Sequence, residues 1–483
     1  MYNLKSIEGF DRLLELIREK NGNGDNDNDN DNDKENQNQS QSQNTTNIDE
    51  EIQKILNHLK LSIKNWKTDT GMYSIIKYEK RDMGVTHEDY KTIGLLRSVV
   101  VDEMGTIVSY SPPKSLYVTE ELEKHFDTNN IMAGLSDENT NEWYAEEFVE
   151  GTMINLFYSR GAWEIATKNT IGGKALFYSP KNPKDEIEVR ESDTFRNMFF
   201  DTCAKIGLEY ENLPKDVVYS FVLQHPKNRI VLPITAPAIY LIAVYRVVNS
   251  ESESESKSNK LEVIQHSRDG FLKNIIKCDK IKTPKTLSLN EGGPSAYTDY
   301  TFQNFKKEYA SMNSAYDMMG VVFYNMVTGQ RMKLRNPTYE MVKNIRGNEQ
   351  KIQLQYLTLR HGGRVADYLK SFPEYKSDFS YYRSQVHSFT RNLHQNYLDC
   401  FVFKKKRFAE YPAQYKKYMF VLNKKYIEEL RENKNSVTFN YVVEFVNNID
   451  PGSLMFSLNY VVKEHNKAIQ RLDEPIADAE TPQ

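Results

Sequence analysis

The chain has 483 residues, a near-balanced charge of 63 Lys and Arg against 67 Asp and Glu, and three cysteines, Cys203, Cys278 and Cys400. That length allows two or three domains with real cores, and the charge balance announces no polyanionic or polycationic partner by itself. Three scattered cysteines exclude a disulfide scaffold and a zinc site; they fit a reducing, cytoplasmic setting, and no apolar stretch approaches a membrane span, so a soluble protein is expected.

Residues Met1 to Lys20 set Leu4, Ile7, Leu13, Leu14 and Ile17 among charges. This predicts an amphipathic helix and not a signal peptide, whose apolar stretch would be unbroken. The tract over residues 21–47, Asp-Asn repeats followed by Gln-Ser-rich sequence, cannot bury apolar surface and predicts disorder. A Ser/Glu alternation over residues 251–259 predicts an expanded surface loop, cheap because closure entropy grows slowly with length.

Residues 48–346 are rich in strand signals. Leu95 to Val101, Ile154 to Tyr158, Val217 to Leu223 and Ile239 to Val248 are β-branched and aromatic runs of strand length. Val321 to Tyr324 and Arg331 to Arg335 predict a further pair around a turn at Thr328-Gly329. Helical stretches such as Thr194 to Ile206 intervene, so an α+β domain with antiparallel sheets is expected.

Residues 347–466 carry aromatics and aliphatics at helical spacing and predict a separate helical domain, followed by a tail over 467–483. Between Lys351 and Glu429 stand fifteen Lys and Arg against seven Asp and Glu. Lys404, Lys405, Lys406, Arg407, Lys416 and Lys417 lie among tyrosines and phenylalanines, as do Lys424 and Lys425. Cations interleaved with aromatics suit RNA, neutralising phosphates and stacking bases. The same residues also fit a solvated helix face whose aromatics are core.

Glu147-Phe148-Val149-Glu150-Gly151-Thr152-Met153-Ile154 resembles the nucleotidyltransferase motif Lys-x-(Asp/Glu)-Gly-(Ser/Thr)-Leu-Ile. Upstream, Leu96-Arg97-Ser98-Val99 resembles the Cys-Arg-Gly strand of T-even phage-type RNA ligases, and Ser111-Pro112-Pro113-Lys114 resembles the Pro-containing turn that follows it. Downstream, Thr167-Lys168-Asn169-Thr170 resembles the Lys-x-Lys-Gly-Ser segment, and Pro226-Lys227-Asn228-Arg229-Ile230-Val231-Leu232 the Pro-x-Asn-Arg-Ile-Val-Leu tail of a Phe-Glu-Phe-Val strand. Met319-Gly320-Val321-Val322 and Met332-Lys333-Leu334-Arg335 resemble the Glu-Gly-Tyr-Val and Lys-x-Lys strands that close the site. The order from about Tyr73 to Arg346 is the family's, and a helical RNA-binding domain follows there too. Expanded Asn and Ser tracts suit an AT-rich genome, such as that of a large DNA virus or an amoeba.

What the resemblance implies about activity is divided. These ligases attack the α-phosphate of ATP with a lysine amine, and carboxylates hold the magnesium that offsets the transferring charge. Here the lysine position is Phe148, and no lysine occurs between Lys124 and Lys168. The strand glutamate falls at Val222 and the later metal-site glutamate at Met319, with Asp317 two residues earlier as the one acid in reach. Arg97, Lys114, Lys168, Arg229, Lys333 and Arg335 stand at or next to basic family positions, and Glu150 remains to accept a sugar hydroxyl or amide.

Each has a bland alternative. Arg97 and Arg229 would pair with acids inside a sheet, Lys333 and Arg335 would be a solvated edge, and Lys114 a turn residue. His225 and His361 lack ligand spacing and read as structural.

The expectation is a degenerate RNA ligase that binds RNA ends or a nucleotide through a cationic pocket, with no catalytic residue and no metal site. ATP and magnesium are implied only if activity is retained. The rivals are an enzyme that seals RNA ends already adenylated elsewhere, and a structural or virion protein using the fold as a scaffold.

Overall fold

The computed structural model describes residues 1–22, 47–81, 91–118, 143–175, 194–250, 260–287, 302–325 and 328–462, with a few isolated positions besides. The tract over 21–47, apart from its ends, the 251–259 insertion and the 467–483 tail lie outside the described residues. Described residues up to Lys343 form one compact unit and those from Asn344 a second.

The first unit is built of short strands: β1 (Tyr2–Asn3), β2 (Leu61–Thr68), β3 (Gly71–Tyr78), β4 (Val99–Asp102), β5 (Ile107–Tyr110), β6 (Leu116–Tyr117) and β7 (Trp143–Glu147). They continue as β8 (Thr152–Ser159), β9 (Ala162–Ala166), β10 (Val218–Gln224), β11 (Ala238–Ser250), β12 (Lys260–His266), β13 (Gly320–Asn325) and β14 (Arg331–Arg335). Three sheets result, ordered β1-β12-β11-β10-β8-β9, β6-β14-β13-β7 and β2-β3-β4-β5. Every pairing is antiparallel except that of β14 with β6. With the helices described below, this is the α+β class with antiparallel sheets that the strand runs predict.

β10 is central and buried on both faces. Tyr219, Phe221 and Leu223 join one core cluster with Phe195, Met198, Phe199 and Cys203 of helix α2 (Phe195–Ile206), while Val218 joins the other cluster. Period-two alternation separates the two sets. Thr194, expected inside this helix, is its cap: its hydroxyl accepts the Asn197 N–H at 3.2 Å, and Gly207 ends the helix at φ 74°. The strand expected over Leu95–Val101 starts only at Val99, after a helical turn over Ile93–Leu95.

The N-terminal helix is shorter than its apolar spacing predicts. Helix α1 covers Phe10–Gly22, and Tyr2–Asn3 pairs with Val263 and Glu262 as a sheet strand. The Tyr2 ring lies 5.9 Å from Tyr110 and 6.4 Å from Tyr245, and its hydroxyl donates to the Gly329 carbonyl at 2.9 Å. Burying that aromatic with its polar end satisfied outweighs two more turns of helix.

Two further helices, α3 (Phe302–Tyr309) and α4 (Pro337–Arg346), follow in this part of the chain, which is also helical over residues 47–58 and Arg268–Phe271. The described residues of the second unit form helices α5 (Ile352–His361), α6 (Val365–Ser371), α7 (Lys376–Tyr397), α8 (Ala413–Lys425), α9 (Phe439–Asn447) and α10 (Pro451–Leu458). Phe379, Val386, Phe389 and Leu393 of α7 are buried, with Tyr356–Phe379 and Phe389–Tyr415 ring contacts at 5.2 and 5.1 Å. The end of α7 widens into a π turn at Leu398–Val402, after which the chain leaves the helix at Lys404, φ 52°.

Candidate nucleotide and phosphate site

One face of the β6-β14-β13-β7 sheet forms the wall of a cavity of about 480 Å³ in the first unit. On β14 the period-two alternation points Met332 and Leu334 into the core and sets Arg331, Lys333 and Arg335, all half-buried, along the cavity. Val322 of β13 is paired with Lys333 on one side and Glu146 of β7 on the other, so these three share a row. Arg97, Lys168 and Lys343 add further cations to the lining.

The turn between β7 and β8 carries the motif-like segment. Phe148, half-buried, donates its backbone N–H to the Gly320 carbonyl at 2.9 Å, which ties the segment to the start of β13. Gly151 sits at φ 149°, and a Cβ there would come within 2.5 Å of the Leu223 carbonyl oxygen. Only glycine lets β8 start so close to β10. Gly320, at φ 139°, meets the Leu334 carbonyl oxygen in the same way. Val222 and Met319, at the family's acidic positions, both line the cavity.

Glu150 does something other than wait for a ligand. It is 3 % exposed, and its carboxylate accepts the backbone N–H groups of Val231 and Leu232 at 3.1–3.2 Å and the Tyr339 hydroxyl at 2.6 Å. Burial and this carboxylate push the Tyr339 hydroxyl well above its usual range. Gln224 donates to the Glu150 carbonyl at 2.9 Å, and Asn228 donates to the Thr152 hydroxyl at 2.8 Å. The Pro-x-Asn-Arg-Ile-Val-Leu-like tail is therefore a clamp on the β7-β8 turn. The expected role of Glu150 as acceptor for a sugar hydroxyl or amide gives way to this, because its oxygens already hold two amides and a hydroxyl. Glu150→Ala would strand those donors and is expected to cost on the order of 3 kcal/mol, read as a lower urea midpoint with unchanged slope.

The cations differ in how they are held. The Arg97 guanidinium lies 3.5 Å from the Pro112 carbonyl, and burial followed by the charge of Arg331 lowers its pKa. No carboxylate pairs with it among the described residues, contrary to the bland alternative. Lys168 leaves the loop after β9, its carbonyl anchored by the Ser98 hydroxyl at 3.3 Å. Its amine and that of Lys114 stand 5.1 and 5.2 Å from the same Tyr78 ring. Burial first, then Arg97, Lys77, Lys114 and Lys80, bring Lys168 down to about 8. Lys333 falls further, to about 7, through burial and then Arg335, Arg97, Lys114 and Arg331. Its amine lies 6.0 Å from the centre of the Phe148 ring.

Two expected site residues lie outside this lining, and a third lines it with its charge shared. Arg229 turns its guanidinium onto the Val231 carbonyl of its own loop, at 2.9–3.0 Å, and does not line the cavity. Lys114 lines a neighbouring cavity instead. Arg335 lines the site but pairs with Glu340 of α4, so part of its charge is neutralised locally. Conversely, Arg331 was not singled out from the sequence. The signal was there, since a strand that turns Lys333 and Arg335 one way turns Arg331 with them.

The resemblance implies ATP and magnesium, and the donor set does not fit a divalent ion. Of the acids lining the cavity, Glu146 is bound by Arg268 at 2.9 Å, Glu150 by the amides, and Glu147 accepts the Lys285 N–H at 3.4 Å. Asp317 lies exposed in the turn before β13, outside the lining. Among the described residues no three His, Cys, Asp or Glu converge as a metal site.

In the second unit, the residues from Lys404 to Arg407 are exposed and line an open groove with Phe401 and Phe408. Lys405 pairs with Asp399 at 2.9 Å, and Lys416 donates to the Ala409 carbonyl at 2.5 Å. The aromatics divide between the two readings. Tyr411, Tyr415 and Tyr418 are buried as core, whereas Phe403 and Phe420 are 57 % and 61 % exposed, with Lys417 and Lys424 on the exposed face of α8 beside Phe420. His225 serves as a cap, its Nδ1 accepting the Lys227 N–H at 3.2 Å, and His361 contacts the Asn447 carbonyl.

No family model matches the chain. Over 203 residues it is 25 % identical to an RNA ligase of Rhodothermus phage RM378, covering 40 % of this chain and 44 % of the phage protein. Over that stretch the chain is similar to an RNA ligase. It is also 25 % identical over 300 residues to the immediate-early protein ICP-46 homolog of Invertebrate iridescent virus 6, covering 60 % of this chain and 59 % of that protein. The matches span about half the length of these curated relatives. Among solved structures, a chain named for an ATP-dependent DNA ligase from Aquifex aeolicus aligns at 11 % identity and a TM-score of 0.32, over 87 % of this chain and 80 % of that one. A mutant RNA ligase of Naegleria gruberi with ATP and Mn aligns at 10 % identity and a TM-score of 0.27, over 60 % and 81 %. Among the described residues, no helix is long and apolar enough to cross a membrane.

Proposed function

We propose that the cavity of the first unit binds the phosphates of a nucleotide or of an RNA 5′ end and does not adenylate itself, in a degenerate relative of the T-even phage-type RNA ligases. One observation carries this reading: Arg97, Lys168, Arg331, Lys333, Arg335 and Lys343 surround a cavity whose nucleophile position is a phenylalanine and whose buried acids are bound by protein donors. Such a wall attracts phosphate and lacks what breaks a P–O bond. The exposed Lys404–Arg407 segment, Lys417 and Phe420 of the second unit would add phosphate and stacking contacts to RNA.

The test is incubation with α-labelled ATP and magnesium or manganese, followed by a denaturing gel. No labelled protein band is expected, and none from Phe148→Lys, because restoring an amine does not restore the ligands of the ion. A band in the wild-type protein that disappears in Lys333→Met would overturn the proposal and make Lys333, the amine held at about 7 beside Phe148, a displaced nucleophile. RNA adenylated in advance, offered with a 3′-hydroxyl acceptor, is expected to give no ligated product. A product would favour the sealing enzyme.

A further inference from the structure

The cationic wall of the cavity has a buried support behind it. Across β7, β13 and β14, Tyr144, Tyr324 and Arg331 stand in one row, and Glu146, Val322 and Lys333 form the next row on the same face. Glu146 and Arg331 both line the phosphate cavity. Both also line a small void of about 10 Å³, shared with Tyr144, Tyr324, Tyr245 and Gln265. A void of that size has room for about one water molecule, and its lining residues carry a carboxylate, a guanidinium, an amide and three hydroxyls as partners. Glu146 is fixed in place: Arg268 donates to its carboxylate at 2.9 Å, the two side chains being 4 % and 14 % exposed. Arg268 is placed in turn by the helical stretch Arg268–Phe271, where the Ser267 hydroxyl accepts the Gly270 N–H at 3.2 Å. Burial raises the Glu146 carboxyl, and Arg268 and then Arg331 pull it back. Arg331 is in need of such a hold. Its charge bears on Arg97, and two guanidiniums at one end of a cavity repel each other toward solvent.

We propose that Glu146, clamped by Arg268, is a positioning residue: through one water in the shared void it keeps the Arg331 guanidinium aimed at the bound phosphate. The assignment deepens, and rests on, the reading of the main cavity as a phosphate site. It makes a prediction of opposite sign to that of charge alone, because a carboxylate that acted only through its charge would weaken the binding of an anion.

The experiment titrates full-length protein with AMP by calorimetry, in the wild type, Glu146→Gln, Arg331→Met and the two combined. Glu146→Gln should weaken AMP about tenfold and should add no further loss in the Arg331→Met background. Removing Glu146 strands the buried guanidinium of Arg268, so Arg268→Met with Glu146→Gln is the second variant, in which both charges leave together; the same loss is expected there. A second readout needs no ligand. In protein carrying nitrogen-15 arginine, the Arg331 Nε–H signal, assigned by its disappearance in Arg331→Met, should be sharp in the wild type and broadened in either Glu146 variant. AMP binding that tightens or stays unchanged in Glu146→Gln would overturn the proposal and leave the cavity reading intact. An Arg331 signal equally sharp in the wild type and both Glu146 variants would overturn it as well. A wild-type protein that ignores AMP, yet loses the sharp signal in Glu146→Gln, would overturn the cavity reading and retain the support of Arg331 by Glu146.

Discussion

Arg331→Glu combined with Lys333→Glu is expected to raise the Kd for a 5′-phosphorylated RNA by about a hundredfold or more. A charge-assisted hydrogen bond contributes about 1.5–3 kcal/mol, and two such losses with two new repulsions exceed the roughly 2.7 kcal/mol that a hundredfold represents. Folding should survive, because both side chains are half-buried on the cavity face while Met332 and Leu334 keep the core contacts of the strand. Fluorescence anisotropy measures the affinity, and a thermal melt checks the fold. The wild-type affinity should also fall linearly in log Kd against log salt, with a shallower slope for the variant. A variant within threefold of wild type would remove the cavity from RNA binding and favour the scaffold reading.

Between pH 6.5 and 8.5 phosphate affinity should drop by on the order of tenfold or more, since two of the binding lysines lose their protons in that window. Lys333 titrates at about 7 and Lys168 at about 8, in both cases mainly through burial and then neighbouring cations. An anion binds the protonated forms, so binding takes up protons and is favoured at the acid end. Stability without ligand runs the other way. Both amines have folded values below the unfolded one near 10.4, so from about pH 7 upward the unfolded chain binds more protons and the folded state gains stability as pH rises. Calorimetry at two pH values in buffers of different ionisation enthalpy would give the proton uptake directly. Affinity that is flat across the window, with no uptake, would mean that these amines do not touch the ligand.

Much of the site could be read along the chain because strands alternate. The β14 sequence Arg331-Met332-Lys333-Leu334-Arg335 states its two faces outright. What could not be read were partners supplied by backbone. Glu150 looks like a ligand-binding acid until the Val231 and Leu232 amides are seen pointing at it, and amides carry no signature in a sequence. The fold-back of Arg229 has a related origin: a guanidinium can reach a carbonyl two residues away, and only the loop geometry decides it. Tyr2–Asn3 is too short to show strand periodicity, so the apolar spacing behind it reads as helix throughout. The aromatics of the helical unit split between core and surface because both faces of α8 carry them.

The β14 strand also polices its own assembly. Sliding it by one position against β13 would turn three cationic heads into the oily interior and leave two thioether and aliphatic groups facing water. An unpaired buried ammonium or guanidinium is penalised far more heavily than a lost methylene contact, so the wrong alignment is shut out during folding by the same charges that later hold phosphate.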